Sequence, residues 1–272
     1  MPKYDKLKFK VDKYDGEQYG SFIWGKGRDK VFDQFYNAIE ISDPDKYLSE
    51  LDTIIKEDPE FIDAYNSIGW FEIDIKNYGS AFAVFSEAYE IGRKLIPSDF
   101  KGKILWAELD NRPFLRTMHG LGLTYLFLQE WERASDIFVK LLNYNPNDNQ
   151  GVRAMAIHSY LAQGKFKKVL SICKNFPEDV LPDTLYGVVL ANYRLDKIQQ
   201  AEKALKDAIK FSPKVARELT KKSHKKPKSV LPDSLSIGGD DEAYDYWERL
   251  GLFWTDPKLI NFIEDGLKKW DK

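Results

Sequence analysis

Three arginines and two histidines are the side chains of this sequence whose chemistry could define a binding site. Arg116, Arg153 and Arg194 can each hold a carboxylate or a phosphate through two parallel hydrogen bonds. His119 and His158 can donate or accept hydrogen bonds beside them. Two histidines without a placed carboxylate do not specify a metal, so we expect neither a metal nor a cofactor. Alternatively, the arginines pair with carboxylates of this chain and join its helices.

The sequence lacks the motifs of common catalytic sites. It contains no H-E-x-x-H, G-x-S-x-G or G-x-x-x-x-G-K-[ST]. Its one cysteine, Cys173, lies at an apolar position of a predicted helix, which favours a buried structural thiol over a nucleophile. We therefore expect that the protein is not an enzyme.

The composition is that of a globular protein. Of the 272 residues, 43% are hydrophobic and 31% are charged, which excludes wholesale disorder. The formal net charge of −2 gives no overall attraction to nucleic acid or to an anionic membrane, so we expect neither as a partner. No stretch approaches the ~18 apolar residues of a membrane span, and the first ten residues, MPKYDKLKFK, do not resemble a signal peptide. These observations predict a cytoplasmic protein.

The apolar residues repeat with a helical period from about residue 28 to residue 213. The best-preserved unit reads M-x2-L-G-x2-Y, then A-x3-F, then P, and consists of Met118, Leu121, Gly122, Tyr125, Ala134, Phe138 and Pro146. An earlier unit repeats the pattern with Gly69, Ala81 and Phe85. The small residues stand where two helices of one unit cross closely, because a larger side chain would overpack the contact there.

This spacing resembles the 34-residue helix–turn–helix unit of tetratricopeptide repeat (TPR) proteins, over segments 59–92, 114–148 and 182–213. The resemblance implies an all-α solenoid that stacks as a right-handed superhelix and binds a peptide or protein in a groove lined by the first helix of each unit. The family's groove positions correspond here to Trp70, Arg116, His119, His158, Tyr186 and Arg194, with Arg153 adjacent to them in the third unit. The Lys and Asn clamp of chaperone-binding TPR proteins is absent, because its positions hold Asn66, Trp70, His119 and Leu123.

A narrower resemblance rests on three segments. They are N-R-P-F-L-R at residues 111–116, N-P-N-D-N-Q-G-V-R at 145–153, and the stretch from A-I-K-F-S-P to G-D-D-E-A-Y near the C-terminus. They are similar to bacterial TPR proteins distantly related to the suppressor of tumorigenicity 7 family. That family has no assigned chemistry, so this resemblance bears on the fold alone.

Two polar segments that open successive first helices form a predicted rim. Asn111 and Arg112 belong to the first, and Asn149 and Gln150 to the second. Helix N-terminal amides beside arginine favour anions. The alternative is structural, because asparagine and aspartate are good N-caps and turn residues.

The chain divides into four predicted segments. Residues 1–27 form an extension in which apolar and charged residues alternate, which suggests a β-hairpin. Residues 28–213 form a solenoid of about five helical pairs, with an insert near 93–113. Residues 214–239 are a basic linker, and helices in 240–272 cap the open end of the array. Either the groove or the insert could be the binding surface.

The sequence thus predicts a non-catalytic adaptor that binds a peptide or helix of a partner protein. Two alternatives stay open. In one, the lysine run at 221–228 makes the chain a nucleic-acid accessory protein. In the other, the helical ends assemble the chain into a homo-oligomer.

Overall fold

A computed structural model describes residues 4–228 and 236–271. That part of the chain holds thirteen α-helices, one two-stranded sheet and two short 3-10 helices, which confirms the predicted all-α fold with an N-terminal β-hairpin. The helices group into two compact units, residues 1–152 and residues 153–272. Within the described ranges, no helix combines the length and apolar character needed to cross a membrane.

The hairpin of unit 1 follows from its alternating pattern and its turn. Strand β1 (Lys8–Tyr14) pairs antiparallel with β2 (Glu17–Ile23). The two-residue turn, Asp15 and Gly16, has φ of 49° and 80°, and two positive φ values are what a tight hairpin turn requires. Phe22 on β2 is 2% exposed, so the hairpin buries one face against the rest of unit 1.

Unit 1 also contains three helical pairs. They are α1 (Asp29–Ala38) with α2 (Pro44–Glu57), α3 (Ile62–Asp74) with α4 (Tyr78–Arg93), and α5 (Arg112–Phe127) with α6 (Trp131–Tyr144). Side chains fix several of the starts. The carboxylate of Asp43 accepts from the backbone N–H of Lys46 at the start of α2, and Asn77 caps α4 in the same way.

The small residues of the repeat pattern face phenylalanine rings. A side chain on Gly69 would place its first carbon 2.6 Å from Cζ of Phe85, and one on Gly122 would lie 2.5 Å from Cε1 of Phe138. Both rings are fully buried. The predicted close crossing of the two helices in each unit is therefore present, and the glycines make room for the ring.

The insert between α4 and α5 lies along the hairpin. Lys103 forms a parallel bridge with Tyr19, its carbonyl accepts from the N–H of Gly20 at 2.8 Å, and its own N–H donates to the carbonyl of Gln18. The following residue, Ile104, is fully buried and donates its N–H to the carbonyl of Tyr144. A 3-10 helix, Leu109–Asn111, then leads into α5.

Unit 2 contains two more helical pairs and the C-terminal helices. The pairs are α7 (Arg153–Ala162) with α8 (Phe166–Lys174), and α9 (Pro182–Arg194) with α10 (Ile198–Phe211). The C-terminal elements are α11 (Pro213–Leu219), α12 (Asp240–Leu250), a 3-10 helix (Gly251–Trp254) and α13 (Pro257–Trp270). α13 packs against α10 and α11, where Gly266 meets Leu205.

The segment predicted as a basic linker, 214–239, is helical at its beginning. Helix α11 runs to Leu219, and residues 221–228 follow it without helix or strand. Residues 229–235 of the predicted linker, 1–3 of the predicted extension and 272 of the predicted cap lie outside the described residues.

Candidate functional site

The first helices of unit 1 pack against each other and carry three of the candidate side chains, with Asp63 hydrogen-bonded to one of them. Asp63 and Trp70 lie on α3, and Arg116 and His119 lie on α5. With Trp106 from the insert, these residues are called the α3–α5 surface below. Residues three or seven positions apart share one face of a helix, which is why each pair points to the same side.

Arg116 is the centre of this surface. Its Nη1 donates to the carboxylate of Asp63 at 3.1 Å, and its guanidinium lies over the ring of Trp106, 5.7 Å from the centroid. Burial raises the pKa of Asp63, and the charge of Arg116 opposes that rise. The Arg116 side chain is 42% exposed, so part of its donor fork stays accessible.

The second half of the α3–α5 surface is aromatic. The rings of Trp70 and His119 lie nearly perpendicular, with centroids 5.5 Å apart. Nε2 of Gln150 lies 3.4 Å from Nδ1 of His119 and donates to the carbonyl of Leu115 at 3.3 Å. Nε2 of His119 and Oε1 of Gln150 are buried, and no hydrogen-bond partner for either lies among the residues that the structure describes.

Burial also controls the charge of the two histidines. It lowers the pKa of His119 to about 4, and it lowers that of His158 to about 4 with help from the nearby Arg249, against the opposing charge of Asp183. Both side chains are therefore neutral at pH 7. Neutral imidazoles on these helices offer hydrogen bonds rather than positive charge.

We expect the stability of the protein to fall as the pH is lowered from 6.5 to 5. Unfolded histidine binds a proton near pH 6.5, whereas His119 and His158 stay neutral in the fold until about pH 4. The unfolded state thus binds more protons in this window, and each histidine contributes a slope of up to about 1.4 kcal/mol per pH unit. Urea denaturation at several pH values measures this slope.

The pH prediction has a matched control. His119→Gln should reduce the slope by about half, because it leaves His158 unchanged. The third histidine, His224, has an acidic partner in Glu218, so His224→Gln serves as a comparison. An unfolding free energy that does not change between pH 6.5 and pH 5 would contradict the prediction.

The corresponding helices of unit 2 are covered by the chain's own C-terminal residues. His158 on α7 packs edge-to-face against Phe253, with centroids 5.9 Å apart. Arg194 on α9 donates to Asp256 at 3.2 Å and to the carbonyl of Phe253 at 3.4 Å. The prediction that His158 and Arg194 line an open groove is therefore wrong, because the C-terminal segment of this chain lies against both side chains.

Two further contacts fix this C-terminal segment. Arg249 donates through both terminal nitrogens to the carboxylate of Asp183, at 2.7 and 3.0 Å. The ring of Trp254, 1% exposed, lies against Tyr186 with centroids 6.1 Å apart. The elements α12 and Gly251–Trp254 thus form part of the core of unit 2.

Tyr186 is the clearest correction to the predicted groove. It is fully buried, its hydroxyl donates to the carbonyl of Ser212 at 2.7 Å, and the same oxygen accepts from the N–H of Ala216 at 3.1 Å. It joins α9 to the start of α11 and cannot touch a ligand at the surface. Arg153 is also used internally, since it donates to both carboxylate oxygens of Asp179 at 2.6 and 3.2 Å.

The comparisons with known proteins place this architecture in a family. Residues 98–271, more than half of the chain, match the family model described as "Transcriptional repressor TCF25". The chain belongs to the TCF25 family. The narrower resemblance to relatives of the suppressor of tumorigenicity 7 family had named a different group. A search of curated proteins found no match.

A solved structure shows the same fold. The crystal structure of YrrB, described as a TPR protein with an unusual peptide-binding site, superposes with a TM-score of 0.54 at 15% identity. The match covers 69% of this chain and 87% of YrrB. At this identity the likeness shows the fold alone, and it confirms that this TCF25-family chain has a TPR-type helical-repeat architecture.

Three of the four predicted rim residues of this TCF25-family chain, Asn111, Arg112 and Asn149, have structural roles. Asn111 is fully buried, and its Nδ2 donates to the carbonyls of Gly20 at 3.2 Å and Leu105 at 3.1 Å while its Oδ1 accepts from the N–H of Phe22 at 2.9 Å. Placing Asn111 on a rim was wrong, because it joins the hairpin to the start of α5. Asn149, on the second segment, accepts a hydrogen bond from Asn145 at 3.1 Å.

Arg112 also contributes to structure. Its Nε donates to the carbonyl of Trp106 at 3.0 Å, and its guanidinium lies over the same ring, 5.2 Å from the centroid. Trp106 therefore lies between two arginines, Arg112 and Arg116. The repeat pattern did not predict this tryptophan in the site, because the insert has no repeat position.

The described part of the chain shows neither a metal centre nor a reactive thiol. Across residues 4–228 and 236–271, no three histidine, cysteine, aspartate or glutamate side chains stand close enough to hold a metal. Burial raises the pKa of the Cys173 thiol to about 12, so it is protonated and unreactive at neutral pH.

Proposed function

We propose that this chain is a non-catalytic scaffold that binds a segment of a partner protein on the α3–α5 surface. The proposal rests on Arg116, whose side chain is held in place and still exposed to solvent. Asp63 and Trp106 hold its guanidinium in place, yet the side chain remains 42% exposed. A cation that is oriented in advance and still accessible can bind an anionic group without a large ordering cost.

The chemistry of the surface specifies the kind of segment that fits. Arg116 has five N–H donors and uses Nη1 for Asp63, so further donors can reach a carboxylate of the partner. Trp106 adds aromatic surface beside Arg116, and Trp70 adds more beside His119. Tryptophan and arginine are among the residues that most often dominate binding energy. We infer an extended peptide with one carboxylate next to an apolar side chain.

The polar atoms near Trp70 support the same location. The buried Nε2 of His119 and Oε1 of Gln150 lack partners within the described part of the chain. Such atoms are uncommon in folded proteins and each costs about 1–3 kcal/mol. A small rotation of either side chain on binding would let a backbone group of the partner satisfy it, which adds to the gain from Arg116.

We expect Arg116→Ala to weaken partner binding by about tenfold or more, since a hydrogen bond to a charged group contributes about 1.5–3 kcal/mol. Partners recovered with the wild-type chain would be identified by mass spectrometry and their affinity measured by calorimetry. Arg133→Ala is the matched control, because Arg133 is 63% exposed on α6 and outside the surface. Equal affinity for wild type, Arg116→Ala and Trp70→Ala would show that the partner does not bind at the α3–α5 surface.

The family description suggests where this scaffold acts. Because the matched family is described as a transcriptional repressor, we propose that the bound partner belongs to a complex that lowers transcription. On this proposal the protein acts together with the genome. The family description supports neither the cytoplasmic location nor the exclusion of nucleic acid that the sequence predicted. Fluorescence microscopy of a tagged chain would test the location.

A second candidate function is nucleic-acid binding by residues 221–228, and one arrangement favours it. The ring of His224 stacks on Trp247 with centroids 3.7 Å apart, and Glu218 accepts hydrogen bonds from His224 and Lys221. The segment is therefore held against α11 and α12, while Lys222, Lys225 and Lys226 stay exposed.

If this candidate is correct, a labelled DNA duplex should bind at low salt and dissociate steeply as salt rises. Each phosphate contact contributes a slope of about −0.9 in a plot of log K against log salt. Replacing Lys222, Lys225 and Lys226 with alanine should therefore lower the magnitude of the slope by about 2–3. Failure to bind at low salt, or an unchanged slope in the triple variant, would dismiss this function.

A further inference from the structure

Unit 2 carries an open apolar groove that the proposed function does not use. It has a volume of about 410 Å³ and lies between α8, α9 and α10. Its apolar lining consists of Leu170, Phe176, Pro177, Leu185, Val188 and Ala204. This volume lies within the range of about 300–1,000 Å³ that is typical of ligand-binding clefts.

The groove lies beside the shorter of the two second helices of unit 2. Helix α8 has nine residues and α10 has fourteen, and the chain after α8 lines one end of the groove with Phe176, Pro177 and Asp179. This stretch is fixed by Asp179, which accepts from Arg153 at 2.6 Å, from Thr184 Oγ1 at 2.7 Å and from the N–H of Leu181 at 3.1 Å. These contacts hold the end of the groove in place.

The two helices that flank the groove are rich in lysine. Lys174 on α8 and Lys203 on α10 line it directly. Lys167 lies two turns before Lys174, and Lys210 two turns after Lys203, so each shares the groove-facing stripe of its helix. All four side chains are exposed.

The acidic groups of the lining do not cancel this charge. Asp179 is paired with Arg153, and that guanidinium, with Thr184 and a backbone N–H, holds the pKa of Asp179 below its usual value. Asp207 on α10 remains as an acidic lining residue against the two lining lysines. The groove therefore combines an apolar floor with a basic rim.

We propose that this groove binds an acidic amphipathic helix of a partner protein. Helix α8 spans about 13 Å, since each residue rises 1.5 Å, and this length accepts apolar anchors at positions i, i+3 or i+4, and i+7 of a bound helix. The anchors would lie on Leu170, Leu185 and Val188. Glutamate or aspartate on the flanks of that helix would face the lysines.

The test uses a fluorescein-labelled synthetic peptide with leucine at every third or fourth position and glutamate at most others. We expect saturable binding to the full chain in fluorescence polarisation, and at least a tenfold loss of affinity in Lys174→Glu/Lys203→Glu. The control Lys258→Glu/Lys268→Glu changes the net charge equally at exposed sites on α13 and should bind like wild type. Thermal melts of both double variants would show that they remain folded.

Four results would overturn the proposal. The first is unchanged binding in Lys174→Glu/Lys203→Glu, and the second is an equal loss in the α13 control, which would mean unspecific attraction. The third is equal binding of a peptide with glutamine for glutamate, or with serine for leucine. The fourth is competition of labelled DNA for the same lysines, which would assign the rim to nucleic acid instead. None of these results bears on Arg116, so this groove and the α3–α5 surface are tested separately.

Discussion

Replacing Arg28 with leucine is expected to lower the free energy of unfolding by about 3–5 kcal/mol. The Arg28 and Asp58 side chains are each 3% exposed, and Nε and Nη2 of the arginine donate to the two oxygens of the same carboxylate. Leucine would leave Asp58 buried without its counter-charge. Removing one partner of a buried ion pair costs far more than replacing both partners with apolar residues, because the remaining charge is left buried and unpaired.

The same arginine also holds the N-terminal extension. Its Nη1 donates to the carbonyl of Asp5 at 2.7 Å, and its Nη2 donates to Glu60 at 2.9 Å. The carboxylate of Glu60 in turn accepts from the N–H of Leu7 at 2.7 Å. We therefore expect Arg28→Leu to speed hydrogen exchange at Leu7 as well as to destabilise unit 1.

Urea denaturation would measure the loss of unfolding free energy in Arg28→Leu, and two further variants serve as comparisons. Arg28→Leu/Asp58→Leu should recover much of the stability, because an apolar pair of similar volume replaces both charges. Arg93→Leu removes an exposed arginine paired with Glu90 and should change stability by less than about 0.5 kcal/mol. A loss below about 1 kcal/mol in Arg28→Leu would show that the buried pair does not form in solution.

Arg28 illustrates which parts of the fold could be predicted from the sequence. The hairpin could, because alternation and an Asp-Gly turn are local signals. The helical pairs could, because glycine, alanine and phenylalanine recur at fixed spacing. Arg28 directly follows a segment that reads as a glycine-rich joint, and its partners Asp58 and Glu60 come from the loop after α2. Nothing in the local sequence indicates that contact.

The site was predictable to a similar extent. Repeat positions placed Trp70, Arg116 and His119 on first helices, and the structure packs Trp70 against His119, with Arg116 about one helical turn before His119 on α5. Repeat positions could not show that Phe253 and Trp254 would cover the equivalent face of unit 2. An aromatic pair after a short helix fits many arrangements, and only the tertiary contacts decide between them.

The family match divides the α3–α5 surface. Arg116 and His119 lie within the matched residues 98–271, whereas Asp63 and Trp70 lie before them. Asp63 orients Arg116, and Trp70 packs on His119. Helix α3, which lies before the matched region, therefore helps to position both residues. We expect the partner preference of this chain to depend on α3, so that Asp63→Ala alters affinity in the same direction as Arg116→Ala.

Phe85→Ala is expected to destabilise the protein by about 3–5 kcal/mol, the usual cost of deleting a buried phenylalanine ring. Phe85 is fully buried in α4, in contact with Trp70 at a centroid distance of 5.7 Å. Its ring lies between Gly69 of its own pair and Gly120 of the next. Deleting it leaves a cavity that joins two helical pairs, and neither glycine has a side chain to fill it.

The glycine at position 120 gives this prediction its sharpest test. A side chain there would place its first carbon 2.2 Å from Cζ of Phe85, so Gly120→Leu alone should cost about 1–3 kcal/mol by overpacking. In Phe85→Ala/Gly120→Leu the leucine enters the space that the ring has left. The double variant should therefore lose less unfolding free energy than the two single variants lose in sum, by about 1–3 kcal/mol. Denaturation of all four proteins measures this coupling, and strictly additive losses would mean that Phe85 and Gly120 do not touch.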